Sequence, residues 1–350
     1  MKKIKIKIII PYFGKNFPLS IIPFLDSCRH NPRIDFHFFS NICLPISHIS
    51  NVFYTKCELD DVRCILPSSL TKGLRYPYKL CDYKPLYGVI FQKYLYGYDF
   101  WGYCDVDLVF GRIEDYLYSV NIDKYDRLFC FGHLTLYRNN ENINYLWQKK
   151  ADTLTSNFKY VCQTTLSCNF DECGMNQICS RELNNRWLKF VKLLDIDWYF
   201  PYFKSTRKDI SSFPQLIIHK PDGSLWFYYQ NSDREIISEE IHYIHMFHRK
   251  FYESNLWDNK IGGIGIPYAI TNDGFIKCED KDIPSMLEKY SYPKLVEIEG
   301  RKKEFIHGLR KAKIDKFLRE IHILKMRGII NIFIKVLFDK LLLPSEKNRN

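Results

Sequence analysis

Tyr98-Asp99-Phe100-Trp101-Gly102-Tyr103-Cys104-Asp105-Val106-Asp107 is the stretch on which the reading of this chain turns. A run this dense in aromatic residues reads as a β-strand buried in a sheet. It ends in two carboxylates separated by one apolar residue. In extended backbone, residues two apart point to the same side, so Asp105 and Asp107 would aim at one spot while Val106 turns into the core. Like charges placed together repel unless something positive sits between them. Two hard oxygens at a strand end therefore suggest a divalent cation, Mg²⁺ or Mn²⁺, whose remaining positions suit diphosphate oxygens. The bland alternative is a solvated strand end.

Outward from this stretch the pattern is α/β. Lys3 to Ile8 alternates Lys and Ile before a wholly apolar Ile8-Ile9-Ile10, a first strand halted by Pro11-Tyr12-Phe13-Gly14. Helical spacing over Leu19–Cys28 and a second strand at Ile34–Ser40 predict a parallel layer, with a short strand at Val52-Phe53-Tyr54. Pro85–Tyr96 has helical spacing with Pro85 as an early helix residue. Strands are expected at 128–131 and 134–137, and a helix from Glu141 to Thr153. A hairpin is expected around Pro221-Asp222-Gly223, and a β-like stretch at 241–247.

The chain has 350 residues, 46% of them apolar, enough to bury a substantial core. Its net charge of +11 is uneven: residues 301–350 hold 14 Lys/Arg against 5 Asp/Glu, leaving the body close to neutral. That distribution argues against a nucleic-acid-binding body. Residues 1–300 are expected to form the catalytic domain and residues 301–350 a basic amphipathic helical tail. In the tail, Ile314, Phe317, Leu318, Ile321 and Leu324 share a helix face with Lys311, Lys313, Lys316 and Arg319 around them. The apolar Ile329–Leu343 would reach about 22 Å as helix, short of the roughly 30 Å hydrocarbon layer, so the tail suits an anionic membrane surface or packing on the body. The apolar run before Pro11 is too short for a signal segment, and the expected location is cytoplasmic, peripheral at the inner face of the membrane. The twelve cysteines show no disulfide framework, and the gaps among Cys162, Cys168, Cys173 and Cys179 are unlike those of zinc ribbons.

Five segments together resemble a family of bacterial glycosyltransferase-like proteins associated with capsule and surface-polysaccharide synthesis. They are Ile9-Ile10-Pro11-Tyr12-Phe13-Gly14, Leu80-Cys81-Asp82-Tyr83-Lys84-Pro85, the stretch 98–107, Gly132-His133-Leu134-Thr135-Leu136-Tyr137-Arg138-Asn139, and Asp171-Glu172-Cys173-Gly174-Met175-Asn176-Gln177. The resemblance covers about residues 4–255. More distantly, the chain is similar to metal-dependent, retaining glycosyltransferases of GT-A fold, such as lipopolysaccharide galactosyltransferases and glycogenin-like enzymes.

The resemblance implies a GT-A-like (Rossmann-like) α/β fold with a mixed, mostly parallel sheet flanked by helices. It implies a hexosyltransferase that uses Mn²⁺ or Mg²⁺, a UDP-linked nucleotide sugar as donor and a surface glycan, lipid-linked or free, as acceptor, with retention of configuration. A late histidine joins the two aspartates on the metal in such relatives; here that residue is His245, with His242 and His248 as rivals. Asp82 and Lys84 are implied to face the nucleotide sugar, and Tyr12 or Phe13 to lie against the base. His248 stands where relatives often carry Lys, which makes Lys250 the candidate phosphate contact. Asp171 and Glu172 fall where relatives present polar groups beneath the sugar, with Gln177 one turn on; a helix cap is the competing role. His133 is read either as a sugar contact or as a buried structural residue. Two other functions stay open: a sugar nucleotidyltransferase, for which Pro11-Tyr12-Phe13-Gly14-Lys15 is a poor phosphate loop, and a non-catalytic glycan-binding scaffold.

Overall fold

The first strand shows how the alternation of the sequence becomes two cores. Ile4, Ile6, Ile8 and Ile10 pack with Phe24, Leu25, Phe36 and Phe38 on one side of the sheet, whereas Ile9 packs with Leu86, Tyr87, Trp101 and Tyr103 on the other. Both faces are covered, so the strand is apolar throughout at its end, as expected of a buried parallel strand.

In this computed structural model, residues 4–46, 48–152, 156–196, 205–207, 214–246, 265–271 and 274–289 are described, all within one compact unit, Met1–Pro293. Lys250, its neighbours His248 and Arg249, and the whole tail 301–350 lie outside the described residues. Among the described residues, no helix is long and apolar enough to cross a membrane.

Strands β1 (Ile6–Tyr12), β2 (Ile34–Ser40), β3 (Val52–Lys56), β4 (Phe100–Cys104), β6 (Arg127–Leu128), β7 (Leu134–Arg138) and β8 (Trp187–Leu188) form a seven-stranded sheet in the order β3-β2-β1-β4-β7-β6-β8. Strands β3, β2, β1 and β4 are parallel, β7 runs against β4 and β6, and β8 is parallel to β6. Helix α1 (Ile21–Arg29) links β1 to β2. The mixed, mostly parallel α/β sheet is therefore as expected. Because β1 leads outward to β2 while β4 returns on its other flank, the strand order reverses between β1 and β4. In open α/β sheets that switch point opens a crevice at the carboxyl ends of the strands. Tyr12 ends β1 and Asp105 follows β4, so both stand at its mouth.

Two further sheets complete the unit. Strand β5 (Leu108–Phe110) pairs with β13 (Tyr243–His245), which pairs in parallel with β9 (Leu193–Asp195). A five-stranded antiparallel sheet is ordered β12-β11-β10-β14-β15, from β10 (Gln215–His219), β11 (Leu225–Gln230), β12 (Ile236–Ile241), β14 (Tyr268–Thr271) and β15 (Gly274–Lys277). Its β10–β11 hairpin turns at Pro221-Asp222-Gly223, where Gly223 takes φ +81°.

Several local expectations are corrected. Pro85 does not begin a helix; it sits inside a 3₁₀ helix, Pro77–Leu86, followed by one α turn, Tyr87–Ile90. Tight packing belongs to this break: a Cβ on Gly88 would lie 2.6 Å from the Trp101 indole. The strand near 128–131 stops at Leu128, since Phe129 adopts φ +69°, a left-handed conformation outside a strand. The helix from Glu141 contracts to Glu141–Asn144 plus a 3₁₀ turn, Leu146–Gln148.

Candidate active site

Asp105-Val106-Asp107 is not extended backbone but a bend between β4 and β5, which corrects the expected geometry. Neighbouring strands pin the bend at both ends. The Asp105 N–H donates to the His133 carbonyl (3.0 Å), and the Asp107 carbonyl accepts from the Met246 N–H (2.9 Å). Val106 is buried in the core as expected. The antiparallel register His245↔Leu108 then brings His245 beside Asp107. One donor atom from each of Asp105, Asp107 and His245 lies within 4.8 Å of the others.

His245 is 6% exposed and held on both sides. Its Nδ1 lies 2.8 Å from Asp195 Oδ1, while Nε2 faces Asp107 Oδ2 at 3.7 Å. Burial pushes its pKa down, but the hydrogen bond to Asp195 and the charges of Asp107 and Asp195 outweigh that and raise it. A carboxylate on one ring nitrogen, leaving the other for a cation, is the usual outer support of a metal-bound imidazole. Asp195 went unrecognised in the sequence because fifty positions separate it from His245; only the parallel register Asp195↔His245 of β9 and β13 makes them neighbours. His133 is buried, stacked between Phe131 and His245 at ring separations of 5.0 and 4.1 Å. Burial holds its pKa well below the usual histidine range, and Nε2 lies 3.1 Å from the Tyr243 hydroxyl. The structural reading of His133 fits this placement.

Lys84 is buried, on the 3₁₀ helix Pro77–Leu86. Its buried ammonium donates to Asp105 Oδ1 (2.6 Å) and to the Gly132 carbonyl (2.7 Å), and lies 3.8 Å from Asp171 Oδ2. Lys84 thus joins Asp105, one of the three clustered donors, to the second carboxylate group. Burial pushes the Asp171 carboxyl up to about 7, with the positive charge of Lys84 opposing. Glu172 converges on the same glycine, its Oε1 accepting from the Gly132 N–H (2.5 Å). Gly132 has no room for a side chain: a Cβ would lie 2.7 Å from Asp171 Oδ2.

Three other candidates sit differently from what the resemblance implied. Asp82 is fully buried, bonded to Lys79 Nζ (2.8 Å) and to the N–H groups of Cys168 and Phe170 (3.0 and 2.8 Å). That arrangement ties the 168–170 segment to the 3₁₀ helix and leaves no oxygen facing the crevice. Gln177 accepts from the Asp152 N–H (3.0 Å); Asn176, passed over in the sequence, donates to the Cys130 carbonyl (3.0 Å), two residues before Gly132. Tyr12 and Phe13 are both half-buried and pack against opposite cores, Phe13 on the side of Ile9 and Tyr12 on the side of Ile8, where Tyr12 stacks on Phe17 at 4.7 Å and donates its hydroxyl to the Asn16 carbonyl. Burial raises the Tyr12 pKa, and the charge of Asp107 adds to the rise. Tyr78 is exposed on the same 3₁₀ helix that carries Lys84.

Residues 8–279 match a family described as a family of unknown function, DUF6625, and the chain belongs to that family. No curated protein matches the sequence. Among solved structures, the chain is similar to the galactosyltransferase LgtC in complex with donor and acceptor sugar analogs, at 7% identity and TM-score 0.32, over 54% of this chain and 75% of that one. It is also similar to the glycosyltransferase GlyE of Streptococcus pneumoniae TIGR4, at 13% identity and TM-score 0.29, over 53% of this chain and 45% of that one. Superpositions at these scores carry no functional weight.

Proposed function

We propose that this member of DUF6625 is a divalent-metal-dependent glycosyltransferase of GT-A type, transferring a hexose from a nucleotide-diphosphate sugar to a cell-surface glycan acceptor with retention of configuration. The observation that carries the reading is the convergence of Asp105, Asp107 and His245 at the carboxyl-end crevice between β1 and β4. Two carboxylates and one imidazole form a donor set that Mn²⁺ accepts readily. When bound there, the cation supplies Lewis-acid stabilisation of a leaving diphosphate.

The chain's own residues do the rest. Lys84 fixes the orientation of Asp105 and, through Asp171, couples the cation side of the crevice to the sugar side. Loss of a diphosphate leaves oxocarbenium-like positive charge on the sugar, which a buried carboxylate stabilises. Asp171 is the group offered for that charge, with Glu172 and Gly132 setting its surroundings. Tyr12 and the exposed Tyr78 are the aromatic surfaces offered to the base. Lys250 remains the proposed phosphate contact on sequence grounds, as does membrane docking by residues 301–350.

The nucleotidyltransferase reading is disfavoured by the first loop. Asn41 clamps Gly14, its Oδ1 accepting from the Gly14 N–H (3.0 Å) and its Nδ2 donating to the Gly14 carbonyl (3.1 Å), so that amide is already engaged and does not cradle phosphate. The decisive experiment is a thermal-shift panel of nucleotide sugars with and without Mn²⁺, followed by hydrolysis of any stabilising donor. A metal-dependent shift, with turnover lost in Asp107→Ala, is the expected result. Absence of any shift would leave the scaffold reading standing instead.

A further inference from the structure

A second group of nitrogen and oxygen donors lies apart from the crevice, where α1 meets the β10–β11 hairpin. Asp26 on α1, His30 at its C-terminal end and His219 at the end of β10 each place one donor atom within 4.8 Å of the others. His219 is 1% exposed and stacked on Tyr268, and its ring bonds the Phe110 backbone while Nε2 has no hydrogen-bond partner among the described residues. A buried imidazole that donates one N–H to a carbonyl and leaves the other nitrogen bare is arranged as a metal-bound histidine is. His30 lies against it, ring centroids 5.3 Å apart, and is walled by the turn: a Cβ on Gly223 would lie 2.5 Å from the His30 Cβ.

A positive group already visits this place. Arg29 Nη2 lies 2.6 Å from Asp26 Oδ1 and 3.4 Å from His30 Nε2, between two of the three donors. Its side chain is 30% exposed, which leaves it a route outward.

We propose that Asp26, His30 and His219 form a second, structural metal site, selective for a borderline cation, Zn²⁺, which fastens α1 to the β10–β11 hairpin with Arg29 as its competitor. Two imidazoles and one carboxylate suit zinc and leave a fourth position for water, whereas the oxygen-richer set at Asp105, Asp107 and His245 suits Mn²⁺. The Phe110 carbonyl that orients His219 belongs to β5, the strand directly after the Asp105–Asp107 bend, so the fastening reaches the strand that continues from that bend.

The test uses the full chain carrying Asp105→Asn and Asp107→Asn, stripped with chelator, so that failure of the glycosyltransferase reading does not affect it. Zn²⁺ is the probe, read by bound-metal analysis and thermal unfolding. Because the chain also has twelve free thiols, the measured quantity is the difference made by His30→Gln, a partly exposed position where the fold is checked by circular dichroism. Expected are one fewer Zn²⁺ bound and loss of a zinc-dependent midpoint rise of a few degrees. Arg29→Gln should retain zinc or bind it several-fold more tightly. Equal zinc content and equal midpoints with and without His30→Gln overturn the site. So does loss of zinc in Arg29→Gln, which would mark the cluster as an ordinary polar network. If the aspartate double variant does not fold, the same difference is read in the otherwise native chain.

Discussion

Asp195→Ala is the sharpest probe of the proposed cation site, because it leaves all three proposed ligands in place. In the native protein the 2.8 Å bond from Asp195 to His245 Nδ1 directs Nε2 toward Asp107. Removing the carboxylate frees the imidazole from that constraint and cancels the hydrogen bond that raises its pKa, so the His245 pKa should fall. Outer carboxylates of this kind change metal affinity about 10- to 100-fold, or roughly 1.4 to 2.8 kcal/mol. Asp195 is 29% exposed, which puts the expected loss nearer the lower end. Mn²⁺ titration by calorimetry or electron paramagnetic resonance measures it directly. Asp195→Asn keeps an acceptor for Nδ1 without the charge and should lose less than Asp195→Ala. Unchanged Mn²⁺ affinity in Asp195→Ala, alongside abolished binding in Asp107→Asn, would refute the claim that Asp195 positions the histidine.

Three other outcomes are expected. Lys84→Met removes the ammonium between Asp105, Asp171 and the Gly132 carbonyl and should destabilise the fold by about 3 to 5 kcal/mol in urea unfolding, with the Asp171 pKa rising above about 7. Gly132→Ala drives a methyl into Asp171 and should cut turnover by about 100-fold, while costing only about 1 to 3 kcal/mol of stability; equal kcat/KM in both forms would count against Asp171 as a site residue. Burial lowers the His37 pKa to about 4, so the folded state resists its protonation. Its contribution to stability is full above about pH 6.5 and is lost as pH falls toward 4, by about 2 kcal/mol between pH 7 and pH 5; His37→Asn should flatten that part of the denaturation profile.

Composition and pattern were enough to show an α/β body with parallel strands, since the alternation of Ile4 to Ile10 and the aromatic run at 100–104 report burial through a period that neighbours in sequence set by themselves. The hairpin at Gly223 was legible for the same reason: a turn is a local conformational problem. Asp105, Asp107 and His245 stood out as residue types. Their meeting in space is a matter of tertiary structure, for it needs a bend rather than a strand and the pairing of β5 with β13. What Lys84 and Asp82 do was equally invisible, because both have the same local setting in a 3₁₀ helix. Lys84 reaches Asp105 across the crevice, while Asp82 is spent on the 168–170 backbone. Asp195 carries no sequence signal at all, since its role is created by strand register. Periodicity can announce which side of an element is buried, but which distant groups share one dielectric pocket is decided only when the elements pack.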